Sequence, residues 1–474
     1  MAIKQRKNQQ KKKVIVIGAG PVGSTIAYLL AKQGFIVHVY EEHPTIGMPI
    51  QCTGILSTWE KNWTPIPKNV IANNITTLTI STGETTNDEP ARKTKTTIRL
   101  QTPETIVHRQ KFDTWLAMQA AKAKVKYFLN HQFIGIRNHN QKQRVFHERK
   151  EKNKNTKNTA KPEEKNDEAI FLHKTTGAMH YEPYDLLIGC DGVNSKTQAL
   201  LEQKKPLLYL GMQAVAKAKG NAKEMQSQAR KKSKKKDDNN TQKLAHQYDT
   251  YFSKTPHAYF GWIVPEGNDY FRIGIASKHN HAKACFDHFF EGFCKQNAIQ
   301  RGYEAFEIVS WQSGCIPSYD PKRIIAKGKL AVLGDAATQV KATTLGGIIP
   351  GIKAAHEFAA RASHALHTNQ PLPTLKNKDL AINQELLLHL LLRNILEEAN
   401  PKHIQESIAL LNNSHLQELL QTVPRDEFSK HKGKLIMTGI KVAAQKEHVL
   451  PLLRLFALSI KTLAKTTLQQ TKHN

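Results

Sequence analysis

Two glycine-rich turns far apart in the chain, at Gly18 and Gly334, constrain the fold more than any other feature. Residues 14–24 read VIVIGAGPVGS, and residues 330–348 read LAVLGDAATQVKATTLGGI. Each is a short apolar run, then a tight turn, then a helix start, the pattern of a buried parallel strand feeding a helix. In the first, Gly18 permits the turn, Gly20 lets the backbone approach a pyrophosphate, and Gly23 lets the helix pack closely on the strand. A helix over residues 24–33 would aim its positive N-terminal end at those phosphates, with Gly34 as its C-cap. The next strand, residues 35–40, ends at Glu41, where an acid is needed to grip a ribose diol. A carboxylate at that place argues against a 2′-phosphate.

The second turn has a different task. Asp335 follows Gly334 and can accept hydrogen bonds from a ribityl hydroxyl, while Ala336 and Ala337 leave room for the backbone to approach. Gly346 and Gly347 precede an apolar helix from Ile348, whose first turn tolerates Pro350. Amide donors at that helix start would stabilise negative charge on a reduced flavin ring. One such unit suits FAD or NAD. Two of them suit one long dinucleotide held at both ends, as FAD is held.

Two further stretches, YDLLIGCDGVNS at residues 184–195 and RQKFDTWL at 109–116, complete a pattern that resembles the FAD-dependent fold of aromatic hydroxylases and geranylgeranyl reductases. PIQCTGILS at residues 49–57 is similar to the reductases' Pro-x-x-Cys-x-Gly motif. FGWIVPEG at residues 260–267 is similar to their Tyr-x-Trp-x-Phe-Pro-Lys signature. The likeness runs over residues 12–360. It departs at Phe260, Val264 and Glu266, where the family carries Tyr, Phe and Lys, and at Thr338, Ala342 and Leu345, where Gly, Pro and Gly are common. The resemblance implies that Gly18, Gly20, Gly23, Glu41, Arg109, Asp191, Asp335, Gly346 and Gly347 contact FAD. It also implies that Phe260, Trp262 and Pro265 line an isoprenoid channel, and that Cys52 near the flavin orients the alkene or assists proton delivery. Read without the resemblance, Arg109 also fits a surface arginine, Asp191 a turn, Phe260 and Trp262 core aromatics, and Cys52 a structural thiol.

The other cysteines, Cys190, Cys285, Cys294 and Cys315, show no paired spacing. They point to a reducing compartment without a disulfide framework, and no Cys or His cluster reads as a metal site. Cys190 lies in a strand-like run and reads as a small buried hydrophobe.

The expected fold class is α/β: a Rossmann-like FAD-binding domain of the aromatic hydroxylase and geranylgeranyl reductase type, with an antiparallel-sheet substrate domain and a helical C-terminal region. The FAD-binding domain is assigned to residues 12–60, 108–137, 169–205 and 305–360. The substrate domain takes residues 61–107 and 206–304, whose alternating Thr, Val, Ile and aromatic residues read as strands that pair over the ring. The helical region takes residues 361–474. Lysine-rich insertions fall at 138–168 and 217–243, the latter containing RKKSKKK at 230–236. They read as solvated loops, with attraction for RNA or anionic lipid as the alternative, and nucleic acid is not the expected partner.

The 474 residues carry 69 Lys and Arg against 40 Asp and Glu, a net charge of +29. Such a surface suits an acidic redox partner such as reduced ferredoxin, with NAD(P)H as the alternative electron donor. No signal peptide and no membrane-spanning stretch is read, which places the chain in the cytoplasm. Residues 449–463, VLPLLRLFALSIKTL, read either as a helix over the substrate domain or as a contact with the inner face of the membrane. The expected activity is FAD-dependent reduction of the C=C bonds of geranylgeranyl chains in archaeal-type glycerophospholipids. The alternative is an FAD-dependent monooxygenase acting on an aromatic or apolar substrate, and a further one is a non-enzymatic flavoprotein or RNA binder.

Overall fold

The apolar run at residues 14–17 becomes β1 (Lys13–Ile17) inside a seven-stranded sheet. The computed structural model describes residues 11–83, 94–137, 144–145, 167–220 and 244–445. The strand order is β19 (Leu372–Lys376), β17 (Ile324–Gly328), β18 (Leu330–Val332), β11 (Leu186–Gly189), β1, β2 (Ile36–Tyr40) and β6 (Lys126–Phe128). From β18 to β6 all pairings are parallel, and β17 pairs antiparallel with both β18 and β19.

Alternation along these strands serves two cores. Val14, Val16, Val37, Val39, Leu186 and Ile188 face α1 (Pro21–Lys32) and α6 (Ile348–Thr368). Ile15, Ile17, Tyr40 and Leu187 meet Phe133, Ala169 and Phe171 of a four-stranded sheet. That sheet has the order β10 (Met179–Pro183), β9 (Glu168–His173), β7 (His131–Arg137) and β8 (Arg144–Val145). With both faces covered, the central strands β1 and β11 read as nearly continuous apolar runs, and His38 of β2 is accommodated through its bond to Glu182. Each fully buried Val or Ile contributes roughly 1.5–3 kcal/mol.

Helix α1 begins at Pro21, about one turn before the start expected at Ser24, with Gly20 as its N-cap. Pro suits the first helical position because its missing N–H has no intrahelical partner there. Helix α2 (Arg109–Lys122) packs beside α1, and the short α3 (Lys196–Ala199) follows β11.

The second large sheet has eight strands, ordered β16 (Ala305–Pro317), β12 (Leu208–Lys219), β15 (Tyr270–Lys278), β14 (Tyr259–Gly267), β13 (Gln247–Ser253), β4 (Ile71–Thr82), β5 (Thr94–Val107) and β3 (Ile55–Leu56). Pairing is antiparallel throughout except for the parallel pair β13 and β4. One face packs Tyr259, Ile263, Ile273 and Ile275 against Cys285, Phe286 and Phe289 of α4 (Ala282–Phe289) and Ala298 of α5 (Lys295–Gln300).

Strand membership differs from the sequence assignment at several places. Residues 305–317 and 55–56, grouped there with the FAD-binding domain, are strands of the eight-stranded sheet. Strand β16 is largely solvent-facing, so it lacks the apolar alternation that marks a strand in sequence. Residues 217–219, read as part of an insertion, finish β12, and the C-terminal region adds β19 to the seven-stranded sheet. Otherwise the described residues of that region are mainly helical: α7 (Asn383–Glu398), α8 (Pro401–Leu410), α9 (Ser414–Thr422) and α10 (Lys432–Ala443). Most of both lysine-rich insertions, including 230–236, and residues 449–463 lie outside the described residues. Among the described residues, no helix is long and apolar enough to cross a membrane.

Candidate active site

Both glycine turns open on one cavity of about 360 Å³. Gly20 at the start of α1, Asp335 after β18, and Gly346 and Gly347 at the start of α6 line it together with Arg109. Cys52 and its neighbours join them from the loop before β3, and Phe260 and Trp262 from β14.

The residues present fit a dinucleotide with a division of labour among the glycines. A Cβ on Gly20 would meet nothing within 4 Å, so its backbone is bare toward the cavity. A Cβ on Gly18 would lie 2.4 Å from the Cys190 carbonyl oxygen, and φ there is +95°, a conformation that favours glycine. Gly23 is held against the Gly18 carbonyl, where a Cβ would lie at 1.9 Å. Gly18 and Gly23 therefore shape the turn from behind and do not line the cavity. Glu41, at the end of β2, is also outside the lining. Its carboxylate accepts from the Ala19 amide at 2.8 Å and the His43 amide at 3.0 Å, which fixes it beside the turn.

At the second turn, Asp335 sits at the cavity wall, and no hydrogen bond from the described residues reaches its carboxylate. Burial raises its pKa, and the Arg109 guanidinium opposes that rise. A Cβ on Gly347 would come within 2.6 Å of Asp335 Oδ1, so only glycine fits between this carboxylate and the first turn of α6. Arg109 Nε and Nη2 donate to Asp113 at 3.1 and 2.7 Å. Burial works against the Arg109 charge, but Asp113 and Cys52 outweigh it and hold its pKa above the ordinary value. Asp191 is used differently: it accepts from Ser195 Oγ at 2.6 Å and the Thr197 amide at 3.1 Å, tying down the start of α3. Its neighbours Cys190 and Gly192 line the cavity instead.

The period of two along β14 separates its aromatics. Phe260 and Trp262 point to the cavity, while Tyr259 points to the helical face and bonds His288 Nδ1 at 3.0 Å. Tyr259 therefore cannot replace the family's tyrosine at position 260. The Trp262 ring lies over Gly274, where a Cβ would approach it to 2.5 Å. Pro265 is outside the lining; its carbonyl accepts from Asn73 Nδ2 at 3.1 Å.

A polar chain that the sequence reading missed ties these pieces together. Trp262 Nε1 donates to Gln213 at 3.1 Å, and Gln213 Nε2 donates to Gln312 at 2.7 Å. Arg272 Nη1 donates to Gln312 at 3.2 Å and to the Cys52 carbonyl at 2.8 Å, and its Nε donates to Glu266 at 2.5 Å. The cysteine loop is thus pinned to the tryptophan strand, and Glu266, which departs from the family's Lys, is the partner of Arg272. The signal for Arg272 was a lone cation inside an otherwise apolar strand. Cys52 Sγ itself accepts from the Gly54 amide at 3.4 Å. Two more cations, Lys341 and Arg425, also line the cavity. Lys341 is ion-paired with Asp426, and Arg425 binds Glu104 and the Tyr248 hydroxyl. Nothing local in the sequence marked this pair. All five cysteines are free thiols, and among the described residues no His, Cys, Asp and Glu group could hold a metal ion.

Comparison with known proteins agrees with this geometry. Residues 16–54 match the model of an NAD(P)-binding Rossmann-like domain. A geranylgeranyl bacteriochlorophyll reductase-like protein of Thermoplasma acidophilum superposes with a TM-score of 0.67 at 19% identity, covering 92% of this chain and 99% of that one. A mutant of the halogenase PltM in complex with FAD superposes with a TM-score of 0.57 at 12% identity, covering 92% of this chain and 87% of that one. A Rossmann-type turn and a second glycine turn facing one cavity, together with these relatives, mark a flavin-dependent oxidoreductase that uses FAD. The digeranylgeranylglycerophospholipid reductase of Methanocaldococcus jannaschii is 25% identical over 413 residues, 85% of this chain and 90% of that protein. Over most of its length the chain is thus similar to digeranylgeranylglycerophospholipid reductases.

Proposed function

We propose that this protein reduces the C=C bonds of geranylgeranyl chains carried on archaeal-type glycerophospholipids. The observation that carries the reading is that Cys52, Phe260 and Trp262 share one cavity with Gly20, Asp335 and Gly347. An apolar chain laid along Phe260 and Trp262 would lie in the same cavity as the residues assigned to the flavin. The presence of digeranylgeranylglycerophospholipid reductases among the relatives supports the substrate class.

When bound, FAD supplies the hydride that an alkene carbon accepts. Gly20 and the α1 amides would hold the pyrophosphate, Glu41 the ribose, Asp335 the ribityl hydroxyls, and the α6 N-terminus the ring edge. Phe260 and Trp262 would hold the alkene against the ring in a site emptied of water, which matters because an isolated alkene is a poor hydride acceptor. Cys52 Sγ would hold the proton that the second alkene carbon receives, with Arg272 fixing the loop through the Cys52 carbonyl. The basic surface favours an acidic electron donor such as reduced ferredoxin over NAD(P)H.

The test is to incubate the dithionite-reduced holoprotein anaerobically with an unsaturated geranylgeranyl glycerophospholipid and weigh the product. Gain of two hydrogens per double bond is expected. No mass change with reduced flavin present would overturn the reading, and gain of one oxygen in air with NAD(P)H would make the protein a monooxygenase.

A further inference from the structure

We propose that Lys341 sets the reduction potential of the bound flavin, and that Asp426, from the C-terminal helical region, is the counter-charge that moderates it. The proposal rests on the FAD reading above and concerns residues of this chain to which the motifs assign no role.

Lys341 lies inside the second glycine motif, between Asp335 and the Gly346–Gly347 pair. Its residues fold back on themselves, with the Lys341 amide donating to the Gly346 carbonyl at 3.1 Å and the Leu345 amide to the Lys341 carbonyl at 2.8 Å. This closure lays the lysine side chain along Gly346, where a Cβ would come within 3.2 Å of Lys341 Cε. The ammonium is therefore carried beside the N-terminus of α6, at the end of the cavity assigned to the flavin ring. Lys341 is only 6% exposed. Its Nζ reaches Ser57 Oγ at 3.4 Å and is ion-paired with Asp426, which is itself buried.

A buried charge acts through a low effective dielectric and is little screened by salt. Two-electron reduction leaves a flavin ring that takes up one proton with a net negative charge, so a cation at this place favours the reduced form. The helix N-terminus adds to the same effect. Asp426 opposes it, and because Asp426 belongs to the loop after α9, the C-terminal region acts directly on the redox site. Lys353 Nζ and Glu427 join the same loop at 3.2 Å, which holds Asp426 in place.

The opposite signs of the two charges supply the test. Purified holoproteins carrying Lys341→Met, Lys341→Arg and Asp426→Asn are compared with the parent by anaerobic spectroelectrochemical titration of the flavin. Lys341→Met should shift the reduced-to-oxidised ratio at a fixed potential about tenfold toward oxidised, a fall of about 30 mV for a two-electron couple. Asp426→Asn should shift it in the other direction, and Lys341→Arg should stay close to the parent. Shifts of the same sign in Lys341→Met and Asp426→Asn, or no shift in either, would overturn the proposal. Should Lys341→Met fail to hold flavin, the sign in Asp426→Asn and the position of Lys341→Arg still decide the matter. A parent protein that takes up no FAD would instead overturn the cofactor reading itself.

Discussion

Asp335 should be a residue that the protein keeps for its ligand at the expense of its fold. Its carboxylate is placed against the low-dielectric cavity wall without a hydrogen bond from the described residues, and burial raises its pKa above the ordinary 3.8. A carboxyl whose pKa is raised by folding stabilises the native state when protonated. That contribution is complete below the ordinary value and is lost as pH rises through the raised one. At neutral pH the charge therefore opposes folding, and Asp335→Asn should stabilise the flavin-free protein by about 0.5–2 kcal/mol. The same change removes a charged acceptor for a ribityl hydroxyl. A hydrogen bond to a charged group contributes about 1.5–3 kcal/mol, so FAD affinity should fall by roughly 10–150-fold, at tenfold per 1.4 kcal/mol. Thermal unfolding of the flavin-free proteins and fluorescence titration with FAD measure the two effects separately. The reasoning would be refuted by a variant that melts lower without FAD yet binds FAD as tightly as the parent.

Three other substitutions probe different links. Cys52→Ala should leave FAD binding unchanged and slow saturation of the lipid by roughly 10²–10⁴-fold if Sγ supplies the proton; single-turnover rates from the pre-reduced enzyme decide this, and unchanged rates remove the role. Gly18→Ala places a Cβ 2.4 Å from the Cys190 carbonyl at φ +95°, so soluble yield and flavin content should both collapse; a yellow, soluble variant would contradict the packing. Glu182 accepts from Lys13 and His180 at 2.8 and 3.0 Å and bonds His38 at 3.0 Å. Burial pushes its pKa up, but hydrogen bonds from His38, Lys13 and His180 outweigh it and bring it down to about 2. The resulting stability is present above the ordinary value of 4.5 and is lost as pH falls toward about 2. Glu182→Gln should cost on the order of 1–3 kcal/mol at neutral pH, and the difference should vanish in urea titrations near pH 2; a gap that persists there would contradict the assignment.

The parts of the site legible in sequence were those encoded by local geometry. Gly18, Gly20 and Gly23 follow from what a strand-turn-helix joint must allow; in the structure Gly18 and Gly23 are held in close backbone contact behind the turn, and only Gly20 lines the cavity. Asp335, Gly346 and Gly347 likewise follow from one turn and one helix start. Pro265 and Asp191 were read by position within a motif, and there motif membership proved weaker than side-chain direction. Pro265 turns away from the cavity, and the Asp191 carboxylate is spent on α3. The edge strand β16 escaped because solvent on its outer side leaves no alternation to read.

By itself, then, the sequence determined the parallel βαβ core, the two glycine turns and the kind of ligand they can hold, because backbone conformation and strand period are written in neighbouring residues. Only the tertiary structure decided which of the adjacent aromatics Tyr259 and Phe260 faces the cavity, since that depends on which face of β14 the helices cover. Only it gathered Arg272, Gln213 and Gln312 behind Cys52, and brought Lys341 and Arg425, with their partners Asp426 and Glu104, to the cavity wall. These charges come from distant segments with no shared period. Burial makes their pairing obligatory, but which partners meet is settled only when the sheets and the C-terminal helices pack.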